Sequence, residues 1–194
     1  MRKLSSLDSN GVGLSRSTVG TRIRQVLSRG GWANPDVFLV ESDTGFVVLK
    51  DFSGRGFLVR RWLGPWLLAR ERHAYRRLAG LAAVPSWLGQ LDEMAMLVEY
   101  RPGTFLSRSL AGQLPAGFVE QLETAIDEMH RRGVVHLDLR HRSNVLAGDD
   151  GRPVVLDFAS ALIFDLATRR GRLGLRLFGG FDRRALRKWR SRLA

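Results

Sequence analysis

The chain has 194 residues, 44% of them hydrophobic, no Cys, and a formal net charge of +12. That hydrophobic share suits a folded protein with a substantial core rather than a disordered chain, and the lack of Cys removes disulfides, thiolate metal sites and cysteine nucleophiles. No apolar run approaches the roughly 18 residues of a membrane span, and the amino terminus lacks the apolar stretch of a secretory signal, so the expected location is the cytoplasm or the inner face of a membrane.

The positive charge is clustered. Seven Arg stand against Glu71 alone between Arg55 and Arg77, and from Asp165 onward ten Arg or Lys stand against Asp165 and Asp182. Such clusters attract phosphate groups, anionic lipid or nucleic acid, although a solvated surface accounts for them equally well.

Residues 1–18 are polar and Gly/Ser-rich and read as a flexible tail. From Thr21, the alternation of Ile23, Gln25 and Leu27 predicts a strand that enters the turn Gly30-Gly31. Asp36–Ser42 and 45–52 read as two further strands joined by Asp43-Thr44-Gly45. In the second, Lys50 shares a face with Phe46, Val48 and Phe52, so its ammonium needs an anionic partner or a route to water. Pro65 opens a helix on which Leu67, Glu71, Ala74, Tyr75 and Leu78 recur at helical spacing, which puts Glu71 on the inward stripe. An ammonium and a carboxylate on two apolar faces offset each other's desolvation by pairing. The alternative is that Lys50 snorkels and Glu71 pairs with neighbouring Arg.

Strands follow at 87–91 and 94–100, the second broken by Arg101-Pro102-Gly103. A short helix over 107–111 precedes a longer one from Pro115, with Phe118, Leu122, Ala125, Ile126 and Met129 on one stripe and Gly133 beyond its end. Then comes His136-Leu137-Asp138-Leu139-Arg140, with Asn144 and Asp157 further on. Asp138, Asn144 and Asp157 each adjoin short apolar runs, where loops expose polar groups while buried strands hold the backbone still. An Asp to orient a hydroxyl, and an Asn and a second Asp to offer oxygen donors to Mg²⁺, are parts that phosphoryl transfer needs. The plain alternative is a polar loop whose Asp caps a turn. His136 reads as a brace for the loop. The segment 165–194 reads as basic and amphipathic, with Phe178, Phe181, Ala185, Trp189 and Leu193 near one helical stripe. It either packs that stripe inward, which is the preferred reading, or lies on an anionic membrane. Gly171, Gly174 and Gly179-Gly180 predict a bent or flexible approach to it.

In order and character, these residues resemble the catalytic loop and the Asp-Phe-Gly metal turn of protein-kinase-like enzymes, and Lys50 and Glu71 resemble that fold's strand-three Lys and helix-C Glu. The resemblance covers about residues 21–164. It implies an α+β, two-lobed protein-kinase-like fold over 19–164: a small antiparallel β-sheet N-lobe with one main helix over 19–101, and a reduced helical C-lobe over 102–164. It implies ATP and Mg²⁺ as cofactors, with Asp138 as the catalytic carboxylate supported by His136 and Arg140. Lys50, Glu71, Gly30, Gly31 and the hinge residues Glu99 and Tyr100 would serve the nucleotide, and Asn144 and Asp157 the metal.

Three features depart from the family pattern. Gly30-Gly31 does not match G-x-G-x-x-G; five residues rather than four separate Asp138 from Asn144, so one must loop out; and Ala159 takes the place of the Gly after Phe158. About thirty residues follow Phe164, too few for the helical substrate platform of larger protein kinases. The chain therefore resembles minimal atypical kinases, the RIO-type and the lipopolysaccharide-core (Kdo/heptose) sugar kinases, which implies a hydroxyl acceptor on a protein or an anionic glycolipid. A pseudokinase, or nucleotide-binding regulatory module without turnover, is the alternative. A nucleic-acid binder matches the charge but lacks stacking aromatics in a basic sheet motif.

Overall fold

The structure is a computed structural model and describes residues 12–193. Among the described residues, ten strands and three α-helices make an α+β protein. They divide into two compact units, one with the described residues up to 69 and 86–100, the other with 70–85 and 101 onward. Among the described residues, no helix is long and apolar enough to cross a membrane.

The first unit holds a five-stranded antiparallel sheet of β1 (Ile23–Ser28), β2 (Asp36–Ser42), β3 (Gly45–Asp51), β4 (Trp87–Asp92) and β5 (Ala95–Glu99), in the order β1-β2-β3-β5-β4. Gly45, at φ 128°, supplies the backbone conformation that the tight β2–β3 turn requires. The pleat sends Val40, Val47, Leu49, Ala95 and Leu97 to one face, where they pack with Val12, Leu14 and Val19. The tail expected over 1–18 therefore reads differently from residue 12 on, while residues 1–11 lie outside the described residues. In 12–18 a Gly/Ser-rich background carries two apolar side chains, Val12 and Leu14, that cover the sheet, and Arg16, two residues further on, ties the covering strap down. Its guanidinium donates two hydrogen bonds to the Asp51 carboxylate, at 2.6 and 3.0 Å, and one to Asp92, at 2.7 Å. Burial alone would raise the Asp51 pKa, but hydrogen bonds from Arg16 and from the Ser53 N–H outweigh it and hold the carboxyl below its ordinary value.

Lys50 lies on the opposite face of β3, directly across from Met96, with Val48 across from Val98. It is buried, as the parity argument requires. A π-helical turn, Val59–Leu63, runs into α1 (Gly64–Arg77). The helix begins one residue ahead of Pro65, and Gly64 belongs there because a Cβ would come within 2.8 Å of the Phe52 ring. Glu71, Ala74, Tyr75 and Leu78 are buried as the stripe requires, but Leu68 takes the fully buried place expected of Leu67.

The second unit contains β6 (Gly103–Phe105), α2 (Phe118–Arg131), β7 (Val134–Val135), β8 (Val145–Gly148), β9 (Pro153–Val155), β10 (Leu162–Ile163) and α3 (Arg169–Leu193). Strands β6-β8-β9 form one antiparallel sheet, and β7 pairs with β10. The predicted stripe of α2 is buried in full. Gly133, just past the helix, has φ 77°, and a Cβ there would stand 2.2 Å from the Phe164 carbonyl oxygen. α3 packs against α2 and β7, and its Ala185, Leu186, Trp189 and Leu193 are buried, so the inward-packing reading holds for that half. Phe178 and Phe181, expected on the same stripe, are exposed, and the Gly-rich approach is itself helical.

The Arg16–Asp51 contact generates the first prediction. Because the folded pKa of Asp51 is lowered, its stabilising contribution is complete above the ordinary value of 3.8 and disappears as pH falls through the lower folded value. Arg16→Gln should cost about 1 kcal/mol near neutral pH, toward the low end for a charged hydrogen bond because Arg16 is partly exposed. The gap between variant and parent should narrow in acid, as measured by urea midpoints across a pH series.

Candidate active site

The chain leaves β7 into His136, which is fully buried. Its Nε2–H donates to the Leu156 carbonyl oxygen at 2.8 Å, and its Nδ1 accepts from the Asp138 N–H at 3.3 Å. These two contacts make the ring a brace between two loops. Phe158 lies beside the ring at 4.9 Å, with Tyr75 edge-on to Phe158 at 5.1 Å.

Leu137 and Asp157 are the two non-Gly residues with positive φ among the described residues, at 70° and 62°. Such a conformation costs a Leu of order 1–3 kcal/mol, so the surroundings must hold it. What holds it is Asp182 of α3, fully buried. One carboxylate oxygen accepts the Leu137 N–H at 2.9 Å, and the other accepts the His136 N–H at 2.8 Å and the His130 Nε2–H at 3.0 Å. Three donors offset the desolvation of a buried carboxylate. The same helix takes the next two carbonyls of the loop: Trp189 Nε1–H donates to Leu139 at 2.8 Å, and the Lys188 ammonium donates to Arg140. Burial lowers the Lys188 pKa, as do the nearby Arg192 and Arg140 cations, with Asp138 acting in the opposite sense.

From this pinned segment the Asp138 side chain is exposed, as is that of Arg140. The five-residue gap before Asn144 closes through a turn. His141 N–H donates to the Asp138 carbonyl and Asn144 N–H to that of His141, each at 3.2 Å, and 142–144 form a single 3₁₀ turn. Asn144 is buried, and its amide NH₂ donates at 2.9 Å both to the main-chain oxygen and to Oδ2 of Asp138. Its Oδ1 accepts from the Ser143 hydroxyl at 3.1 Å. Asp157 is exposed and follows Leu156, whose N–H donates to the Asn144 carbonyl and whose carbonyl accepts from His136. The positive φ of this turn falls on Asp157 itself, so Ala159, in the 3₁₀ turn Phe158–Ser160, has no need of Gly.

The donor set can be compared with what Mg²⁺ requires. Among the described residues, no group of three or more His, Asp or Glu side chains could hold a metal unaided. Asp157 and Asn144 offer one carboxylate and one amide oxygen, which suits an ion that keeps its waters and arrives with phosphates, and does not suit an all-protein cage.

The other predicted site residues are in the first unit, except Glu71. The Gly30 N–H donates to Asp36 Oδ1 at 2.9 Å, so this amide serves the β1–β2 turn, and a Cβ at Gly30 would meet the Asn34 carbonyl oxygen at 2.2 Å. Gly31 is exposed. Glu99 accepts the Ser86 N–H at 2.8 Å, and Tyr100 lies edge-on to Phe46. Lys50 is buried in the first unit and Glu71 in the second. An open groove of about 430 Å³, lined by Arg70, His73, Arg77 and residues 161–165, contains none of Asp138, Asn144 or Asp157. The hold that Asp182, Lys188 and Trp189 have on the loop is what sequence reasoning missed. No protein-family model matches the chain, and no curated protein matches its sequence.

Asp182→Asn turns one acceptor into a donor that faces N–H groups. It should destabilise the second unit by roughly 1–3 kcal/mol, and amide exchange at His136 and Leu137 should accelerate more than at Val134. Unchanged protection at those two amides would refute the clamp.

Proposed function

We propose that the chain is an ATP- and Mg²⁺-dependent phosphotransferase of protein-kinase-like fold, with the sheet unit as its small lobe and the α2/α3 unit as a reduced helical lobe. The acceptor is a hydroxyl on a protein or an anionic glycolipid. The observation that carries this reading is the double hydrogen bond from the Asn144 amide to Asp138, in a loop whose backbone is held by Asp182. It orients an exposed carboxylate beside an amide oxygen, in a loop whose Asn144 carbonyl accepts the N–H of Leu156, the residue before Asp157.

In this reading the acceptor hydroxyl gives its proton to Asp138 as its oxygen bonds to the γ-phosphorus, and the bond from that phosphorus to the ADP oxygen breaks. Arg140, and Lys188 behind it, supply positive charge near the transferring group. Lys50 is the buried cation assigned to the nucleotide phosphates. Asn144 and Asp157 would hold the Mg²⁺, which when bound neutralises phosphate charge.

The test uses purified chain, γ-labelled ATP, Mg²⁺, and protein and glycolipid fractions as acceptors. Asp138→Asn should reduce transfer by about 10²–10⁴-fold, the range for loss of a general base, with the thermal midpoint kept close to that of the parent. Asp157→Ala should abolish Mg²⁺-dependent transfer. Parent-level turnover in both variants would reject the assignment. Stabilisation of the parent by ATP with no turnover would replace it with a nucleotide-binding module.

A further inference from the structure

We infer that the first unit docks onto an anionic lipid surface through the outward face of residues 57–66. Phe57, Leu58, Trp62 and Trp66 are 67%, 69%, 68% and 56% exposed, an unusual concentration of large apolar side chains for ten residues of a folded surface. Leu58, Trp62 and Trp66 recur every fourth residue along the π-helical turn and the start of α1, so they form one outward stripe. The inward side of the same segment is already filled, by Val59, Leu68 and the contact of Gly64 with Phe52. The exposed stripe is therefore not spare core.

Its chemistry selects the occupant. Arg60 and Arg61 are exposed within the stripe, the Arg61 guanidinium lies 5.2 Å from the Trp62 ring centre, and 57–66 contains no acidic residue. Two copies of so basic a face repel each other, which argues against self-association. Trp rings favour the headgroup boundary of a bilayer, aliphatic side chains and Phe favour the acyl region below it, and Arg favours anionic headgroups. All three classes are present on this one face. The inference is independent of the phosphotransfer assignment.

The test is sedimentation of the full chain with vesicles of phosphatidylcholine alone and of phosphatidylcholine mixed with phosphatidylglycerol. Binding should require the anionic lipid and weaken with salt. Trp62→Ser with Trp66→Ser should reduce partitioning by more than about ten-fold, and Arg60→Gln should reduce it roughly five-fold. All of these side chains are exposed, so the urea midpoint should move little, and Leu58→Ser supplies a second loss of binding without touching an aromatic ring. Parent-level partitioning of the Trp double variant would overturn the inference. So would retention on an RNA oligonucleotide in preference to the anionic vesicles.

Discussion

A carboxylate at the centre of a protein is a cost unless every lone pair that matters meets a donor. Asp182 meets three, two of them the consecutive N–H groups of His136 and Leu137. Those two amides belong to a backbone that bends against the preference of a Leu side chain, so the carboxylate stabilises a conformation the loop would not adopt alone. Everything downstream inherits that geometry: the direction of Asp138, the return of the chain to Asn144, and the link through Leu156 to Asp157. α3 also takes the carbonyls of Leu139 and Arg140, so four of the five residues 136–140, all but Asp138, are bound to one helix.

The sheet unit shows a parallel economy at its other end of the chain. One β-sheet face cannot face water with Val40, Val47, Leu49 and Leu97 upon it, and no helix of that unit is needed to cover it because Val12, Leu14 and Val19 do so. A strap this short has little apolar area, and the fork of Arg16 onto Asp51 and Asp92 compensates by fixing it at the ends of two strands. The other face of β3 is left to carry Lys50 among Val48, Met96 and Val98.

How much of this was legible depended on whether a residue's partner lay close in sequence or announced itself by periodicity. The strands and the α2 stripe followed from alternation, helical spacing and turn residues, and the bracing reading of His136 from the general habit of a lone His. The strap did not, because its composition is that of a loop and only its tertiary contacts show otherwise. Nor did the role of Asp182, which acts on a residue 46 positions away. A signal was nevertheless present: Asp182 falls on the same helical arc as Ala185, Leu186 and Trp189, an acid on an apolar stripe, the very pattern that drew attention to Glu71. By composition alone it is simply one of two acids in a cationic segment. The five-residue gap before Asn144 was legible as an anomaly, but its resolution by a 3₁₀ turn was not, since loop closure depends on backbone hydrogen bonds that no residue type announces.

The dependence of the loop on α3 also imposes an order of events on the nascent chain. His136 to Asp157 leave the ribosome before Asp182 and Trp189 do, and until those arrive, two buried amides and a carbonyl of the loop have no native partner. The ordering of this loop therefore waits on a helix that follows it in the chain.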